Sequence, residues 1–156
     1  MGNLYVLCGA PGSGKTTWCK NHAPVEATYV SRDEVRFSIL QPNDAYFSKE
    51  NEVFEEFVRR INAGLAIGDV YADATHLNRG SRAKLLNRID RSNLSNAIAI
   101  VIEADLETCL ERNAFRRGRA FVPEESIESM YRNFRKPTCD EGFYEIWVKK
   151  EVKVNE

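Results

Sequence analysis

No run in the sequence approaches the roughly 18 apolar residues of a membrane-spanning helix. The first residues enter a strand pattern without a basic, apolar, cleavable leader. The expectation is a cytoplasmic protein that crosses no membrane. Cysteine and histidine are scarce. Cys8, Cys19, Cys109 and Cys139 are widely spaced with no CxxC pair, and only two histidines exist to complete a metal site. Reduced thiols follow from that spacing, rather than disulfides or a structural zinc. An excess of positive charge is also missing: a formal net charge of -1 excludes the broad basic footprint that wraps duplex DNA, but not a grip on a strand end. No linker rich in Gly, Ser or Pro and no internal repeat divides the 156 residues, so they are read as one domain, 1–156. At 43% hydrophobic residues the chain can bury a sizeable core.

What is present alternates. Asn3–Cys8 reads as a buried strand that ends in a glycine-rich turn and a helix start. A short strand over Ala27–Val30 precedes a brief helix with Val35, Phe37, Ile39 and Leu40. Val53, Phe54, Phe57, Val58, Ile61 and Leu65 fall on one face of a long helix within Ser48–Ile67. Strands are expected over Asp69–Ala74, Ala97–Ile102 and Phe143–Val148, and helices over Arg79–Ile89, Leu106–Phe115 and Pro123–Phe134. Strands that are apolar on both faces and alternate with helices imply an α/β fold with a mostly parallel sheet and helices on both faces.

The turn reads Gly9, Ala10, Pro11, Gly12, Ser13, Gly14, Lys15, Thr16, and fits G-x-x-x-x-G-K-[ST] at every position between a strand and a helix. Such a loop aims backbone N–H groups at phosphate oxygens, while Lys15 reaches the β- and γ-phosphates and the Thr16 hydroxyl ligates Mg²⁺. Thr17 follows in the same first turn. The expectation is a P-loop NTPase-type three-layer sandwich that binds a nucleoside triphosphate. No N-K-x-D guanine signature occurs, which favours ATP or a non-selective purine site. Asp73 ends an apolar strand either as a Walker-B carboxylate, orienting Thr16 or a metal-bound water, or as a cap on the next helix.

Asp33 leaves a strand at the same sheet edge as the phosphate loop. It is either the base for an acceptor hydroxyl or the N-cap of a helix with its flanking arginines in solvent. Arg36, one helical turn on, is placed to neutralise a phosphate on the acceptor. Arg112, Arg116, Arg117 and Arg119 crowd a short segment with a hinge glycine, Gly118. They form either an arginine lid over the triphosphate or a solvated helix end. His76 reads as a polar loop residue, Trp18 and Trp147 as packing residues, and Phe37 or Phe121 as minor candidates for stacking on a base.

Together GAPGSGKTTW, SRDEVR, DATHLN with Arg82 after it, and RNAFRRGRAFVP followed by SMYRNF resemble the kinase module of bacteriophage-type 5′-hydroxyl polynucleotide kinases, in order from Leu4 to Phe134. The resemblance implies that Lys15 and Thr16 bind ATP and Mg²⁺, that Asp33 is the general base for a DNA or RNA 5′-hydroxyl, and that Arg36 contacts the 3′-phosphate of the terminal nucleotide. It implies Arg116 as the catalytic arginine of a lid over residues 112–134. Because the Arg112–Val122 stretch runs slightly longer than in the best-known member, Arg117 and Arg119 stay in contention. Arg112 and Arg119 are expected at the nucleotide; Asp73, Thr75 and Arg82 are expected on the substrate side. No D-x-D-G-T phosphatase motif is present. Two rivals stand beside this reading, a P-loop small-molecule kinase and a non-catalytic ATP-binding switch. The sequence leaves open whether the chain acts alone, as a homo-oligomer, or beside a separate ligase or phosphatase.

Overall fold

The computed structural model describes residues 1–116 and 122–150. Strand β1 (Gly2–Cys8) runs through the glycine-rich loop into helix α1 (Lys15–His22). β2 (Thr28–Ser31) leads into α2 (Arg32–Ile39), and a loop separates it from α3 (Glu50–Leu65). β3 (Val70–Asp73), α4 (Arg79–Leu86), β4 (Leu94–Glu103), α5 (Leu106–Ala114), α6 (Glu124–Asn133) and β5 (Glu145–Lys150) follow. The strands lie in the order β2-β3-β1-β4-β5, and every neighbouring pair is parallel. From β1 the chain crosses to the edge position of β2, returns as β3 into the gap between them, and then passes to the other side of β1 with β4 and β5, so a crevice opens at the carboxyl end of that central strand.

Side chains of the sheet alternate between two apolar layers. Leu4, Val6, Val30, Val70, Ala72, Ala99 and Val101 pack with Phe57, Ile61 and Leu65 of α3. Leu7, Tyr71, Ile98, Ile100 and Ile102 pack on the other face with Cys19 of α1, and Trp18 and Trp147 lean on the same layer. Burial of both faces is why these strands read as unbroken apolar runs. A third cluster of Ala10, Cys109, Val122 and Ile127 seats α5 and α6 against the phosphate loop. All four cysteines are free thiols. No helix among the described residues is long and apolar enough to cross a membrane.

Two strands depart from expectation. β4 starts at Leu94, ahead of the apolar run, because Ser95 and Asn96 are exposed and give no hydrophobic signal while the parallel pairing still reaches from Gly2 to Leu94. β5 starts at Glu145 instead of Phe143: Phe143 is buried in the core before the ladder begins, and the edge strand itself ends in exposed lysines.

Arg82 has a different place from the one expected. Its side chain is fully buried, with Nε 2.7 Å from Glu141 Oε1, Nη2 3.3 Å from Oε2, and Nη1 donating to the His76 carbonyl at 2.8 Å. A guanidinium so enclosed joins α4 to the Cys139–Glu141 turn and to the exit of β3; it does not line the cleft where an acceptor would sit. Arg79 is exposed and paired with Asp140 at 2.9 Å. Glu141→Ala strands the Arg82 charge in the core and should lower unfolding free energy in urea by about 3–5 kcal/mol. Arg79→Ala removes an exposed guanidinium whose main partner, Asp140, is exposed too, and should change the same titration far less than Glu141→Ala.

Candidate active site

The loop between β1 and α1 closes on itself. Gly12 and Gly14 adopt φ of 81° and 105°, the left-handed region that glycine enters without strain. At Gly12 a Cβ would also sit 2.6 Å from the Cys109 carbonyl oxygen, so α5 presses directly on the loop. α1 begins with no side-chain cap and no acidic residue in its first turn. Its leading N–H groups and positive dipole end therefore face the loop, as an anion site requires. Lys15 Nζ is buried and donates to the carbonyls of Gly9 at 2.8 Å and Ala10 at 2.9 Å. Burial holds its ammonium below the usual lysine range, with Asp73 and Asp33 pulling the other way.

Asp73 is buried at the end of β3 and accepts two hydroxyl hydrogen bonds at Oδ2, from Thr16 at 2.7 Å and from Tyr29 at 2.5 Å. It does not cap the following helix. Asn78 does, accepting from Ser81 N at 2.8 Å in a reciprocal capping box. The Thr16 hydroxyl and the Asp73 carboxylate are hard oxygen donors side by side, which fits Mg²⁺, an ion that binds through one or two carboxylates and keeps several waters. Thr75 ties the β3 exit to the loop, its carbonyl accepting from Gly9 N at 3.0 Å.

Asp33 is not the cap of α2 either. Ser31 is, its side chain accepting from Glu34 N at 3.2 Å, which leaves Asp33 half-exposed in the first turn with its carboxylate available. Asp33 Oδ1 is paired with Arg36 Nη1 and accepts from the Tyr46 hydroxyl at 2.7 Å. Arg36 is buried, and Glu50 grips it with Oε1 2.9 Å from Nε and Oε2 3.1 Å from Nη2. With Nη1 also donating to Tyr46 at 2.9 Å, most of its five N–H groups are committed within the protein. Arg32 Nη2 donates to Glu50 at 3.1 Å, and its guanidinium lies over the Phe54 and Phe57 rings. Burial opposes the Glu50 charge, but Arg36 and Arg32 hold its carboxyl below the usual range. The sequence reading missed Glu50 and Tyr46. Both lie in or beyond the α2–α3 loop, and no spacing rule links them to Arg36.

Arg112 Nη1 donates to the Gly12 carbonyl at 3.2 Å from the last turn of α5, and Arg116 follows that helix at the cleft wall. Asn113 is buried and makes two hydrogen bonds to Val122, Nδ2 to its carbonyl at 2.6 Å and Oδ1 from its N–H at 3.0 Å. The amide thus brackets both ends of the arginine-rich segment. Arg117, Gly118, Arg119 and Phe121 lie outside the described residues.

His76 proves more enclosed than a polar loop residue. It sits at φ 43°, buried beside Phe57, and its Nδ1 donates to the Leu7 carbonyl at 2.5 Å. Among the described residues Nε2 has no hydrogen-bond partner. Burial pushes the imidazole down to about 4, with Arg32, Lys15 and Arg82 adding to the effect against the Leu7 hydrogen bond.

These groups converge on one cleft of about 660 Å³. Pro11, Gly12, Gly14, Lys15, Thr16 and Thr17 line it together with Asp33, Arg36, Asp73, Thr75, Arg112 and Arg116. Gly9, Ala10 and Ser13 line a second hollow of about 520 Å³ instead.

A family profile described as an AAA domain matches residues 4–137, most of the chain. The chain belongs to that family. It is 27% identical over 150 residues to a candidate bifunctional polynucleotide kinase/RNA ligase of Autographa californica nuclear polyhedrosis virus, covering 85% of this chain but 21% of that protein. The chain therefore spans about a fifth of this relative, and the likeness to polynucleotide kinases seen in the motifs recurs there. Among solved structures, Chaetomium thermophilum Kti12 in complex with ADP-AlF3 superposes with a TM-score of 0.66 at 16% identity, covering 94% of this chain and 88% of that one. A chain of the Pnkp1/Rnl/Hen1 RNA repair complex gives 0.64 at 20% identity, covering 84% and 43%. A gluconokinase from Sinorhizobium meliloti 1021 gives 0.61 at 16% identity, covering 95% and 82%. The AAA-domain chain has the P-loop kinase fold these share, a nucleotide-binding fold.

Gly12→Ala forces a side chain into the Cys109 carbonyl and a left-handed backbone. ATP affinity measured by calorimetry should fall by about 5- to 150-fold, the range that corresponds to roughly 1–3 kcal/mol of local strain. His76 gives a pH signature. Its folded value lies below the unfolded 6.5, so the unfolded chain binds more protons, and stability is full above about 6.5 and falls as pH drops through about 4. Denaturant titrations should lose about 3 kcal/mol across that window, and His76→Gln should remove that share of the slope.

Proposed function

We propose that this chain is a kinase that transfers the γ-phosphate of ATP to the 5′-hydroxyl end of DNA or RNA. The observation that carries the reading is the shared cleft, which Lys15 and Thr16 line together with Asp33 and Arg36. Two likenesses support the acceptor class, the viral relative whose name joins a polynucleotide kinase to an RNA ligase and the Pnkp1/Rnl/Hen1 RNA repair complex, one chain of which shares the fold. A ligase, joined in one protein or on its own chain, is the partner those names suggest.

In this account the loop N–H groups and Lys15 hold the β- and γ-phosphates. Thr16 and Asp73 would hold Mg²⁺, which when bound neutralises charge on the phosphate oxygens. Asp33 accepts the proton of the incoming hydroxyl, and its orientation of that oxygen matters as much as its basicity. Arg112 and Arg116 would meet the charge that spreads over the equatorial oxygens. Arg36 offers what remains of its guanidinium to an acceptor phosphate.

That last point favours a second reading. With Glu50, Asp33 and Tyr46 engaging Arg36, an acceptor without a phosphate also suits the cleft, and the gluconokinase likeness gives it a class, a small polyol or sugar acid. Purified protein with γ-labelled ATP and parallel acceptor panels separates the two. Labelling of 5′-hydroxyl oligonucleotides is the expected outcome; labelling of sugars alone would overturn the nucleic-acid reading. Asp33→Asn should lower kcat by about a hundred- to ten-thousandfold with ATP affinity unchanged, whereas Lys15→Ala should weaken both. Equal activity of Asp33→Asn and the native protein would remove Asp33 from the role of base.

A further inference from the structure

Tyr46 lies in the loop between α2 and α3, outside every sequence motif, yet it lines the cleft. Its hydroxyl donates to Asp33 Oδ1 at 2.7 Å and accepts from Arg36 Nη1 at 2.9 Å. Its ring centroid is 4.3 Å from the Arg36 guanidinium carbon. Phe37 and Phe47 pack edge-on against the same ring, with centroids 6.1 and 4.6 Å away. A cation and two aromatic rings hold the phenol in place, so the O–H has a fixed direction.

A carboxylate on the first turn of a helix, half-exposed like Asp33, turns easily about its last torsion because that sp³–sp² rotation is broad and shallow. It offers either oxygen to a substrate unless something takes one of them. Here both donors, Arg36 Nη1 and the Tyr46 hydroxyl, take Oδ1, and among the described residues Oδ2 accepts no hydrogen bond. Two donors converging on one oxygen fix the plane of the group where a single donor leaves it free to swing. Burial and the Asp33 charge push the Tyr46 phenol above its usual range, so it stays an O–H donor at any working pH.

We infer that Tyr46 is a positioning residue for the transfer step: by holding Oδ1 of Asp33 it presents Oδ2 to the acceptor hydroxyl. The inference rests on the reading of Asp33 as the base. The acceptor oxygen forms its bond to the γ-phosphorus while its proton passes to Asp33 Oδ2. The bond from the γ-phosphorus to the β,γ-bridging oxygen breaks, and ADP leaves with that electron pair. Tyr46 exchanges no proton.

Tyr46→Phe tests this because it keeps the ring against Arg36, Phe37 and Phe47 and removes only the hydroxyl. Single-turnover transfer from labelled ATP to an acceptor that the native protein phosphorylates should slow by about tenfold, as expected for a lost hydrogen bond to a charged group. The KM for ATP and the circular dichroism spectrum should stay as in the native protein. The deciding readout is a double-mutant cycle: a residue that works through Asp33 has no further effect once Asp33 is Asn, so Asp33→Asn and Asp33→Asn/Tyr46→Phe should share one residual rate. An unslowed Tyr46→Phe protein, or the same fold loss in both backgrounds, overturns the positioning role and leaves the base assignment standing. A fully active Asp33→Asn protein overturns the base assignment itself, and the inference with it.

Discussion

One carboxylate, Asp73, fastens three neighbouring strands at the edge where the cleft opens. It ends β3, takes the Tyr29 hydroxyl from β2, and takes the Thr16 hydroxyl from the helix that follows β1. This is possible only because the strands are parallel: each delivers its carboxyl end, and the residues just after it, to the same edge. A strand reversed at β2 would carry Asp33 to the opposite side of the molecule, away from Lys15. The convergence that makes a phosphoryl-transfer site plausible is thus a property of sheet topology first and of individual side chains second.

Around that carboxylate the protein arranges its charges in two groups. Lys15 is enclosed by its own loop, its ammonium held on the Gly9 and Ala10 carbonyls and kept less basic by burial. Arg32 and Arg36 share Glu50, a cross-element contact that fixes both cations at the cleft. The buried thiols take no part in such chemistry: burial pushes Cys8 and Cys19 up to about 12, which keeps them protonated packing groups. Packing also reaches the loop itself, because the close approach of Cys109 to Gly12 and the Arg112 hydrogen bond make α5 a direct support of the phosphate loop.

Much of this was legible in the residues. The glycine spacing before Lys15 specified both the turn and the start of α1, and the doubly apolar strands specified a parallel sheet, since local pattern and global arrangement agree there. The two aspartates were ambiguous because Asp at a strand exit caps helices as readily as it binds ligands. Coordinates separate the choices by finding the true caps, Ser31 and Asn78. Arg82 shows the opposite limit: its position after DATHLN resembled a phosphate contact, but its partner Glu141 is 59 residues away, and no periodicity signals a pairing of that range. Glu50, Tyr46 and the Asn113 clamp on Val122 were silent for the same reason, as side-chain hydrogen bonds across loops leave no repeat to detect.

The most direct test of the central claim is a crystal structure with a non-hydrolysable ATP analogue and a 5′-hydroxyl oligonucleotide bound together. The account predicts the acceptor oxygen within about 3 Å of the Asp33 carboxylate, in line with the γ-phosphate held by Lys15. An acceptor oxygen seated elsewhere, with Asp33 facing only its arginine and tyrosine neighbours, would contradict it.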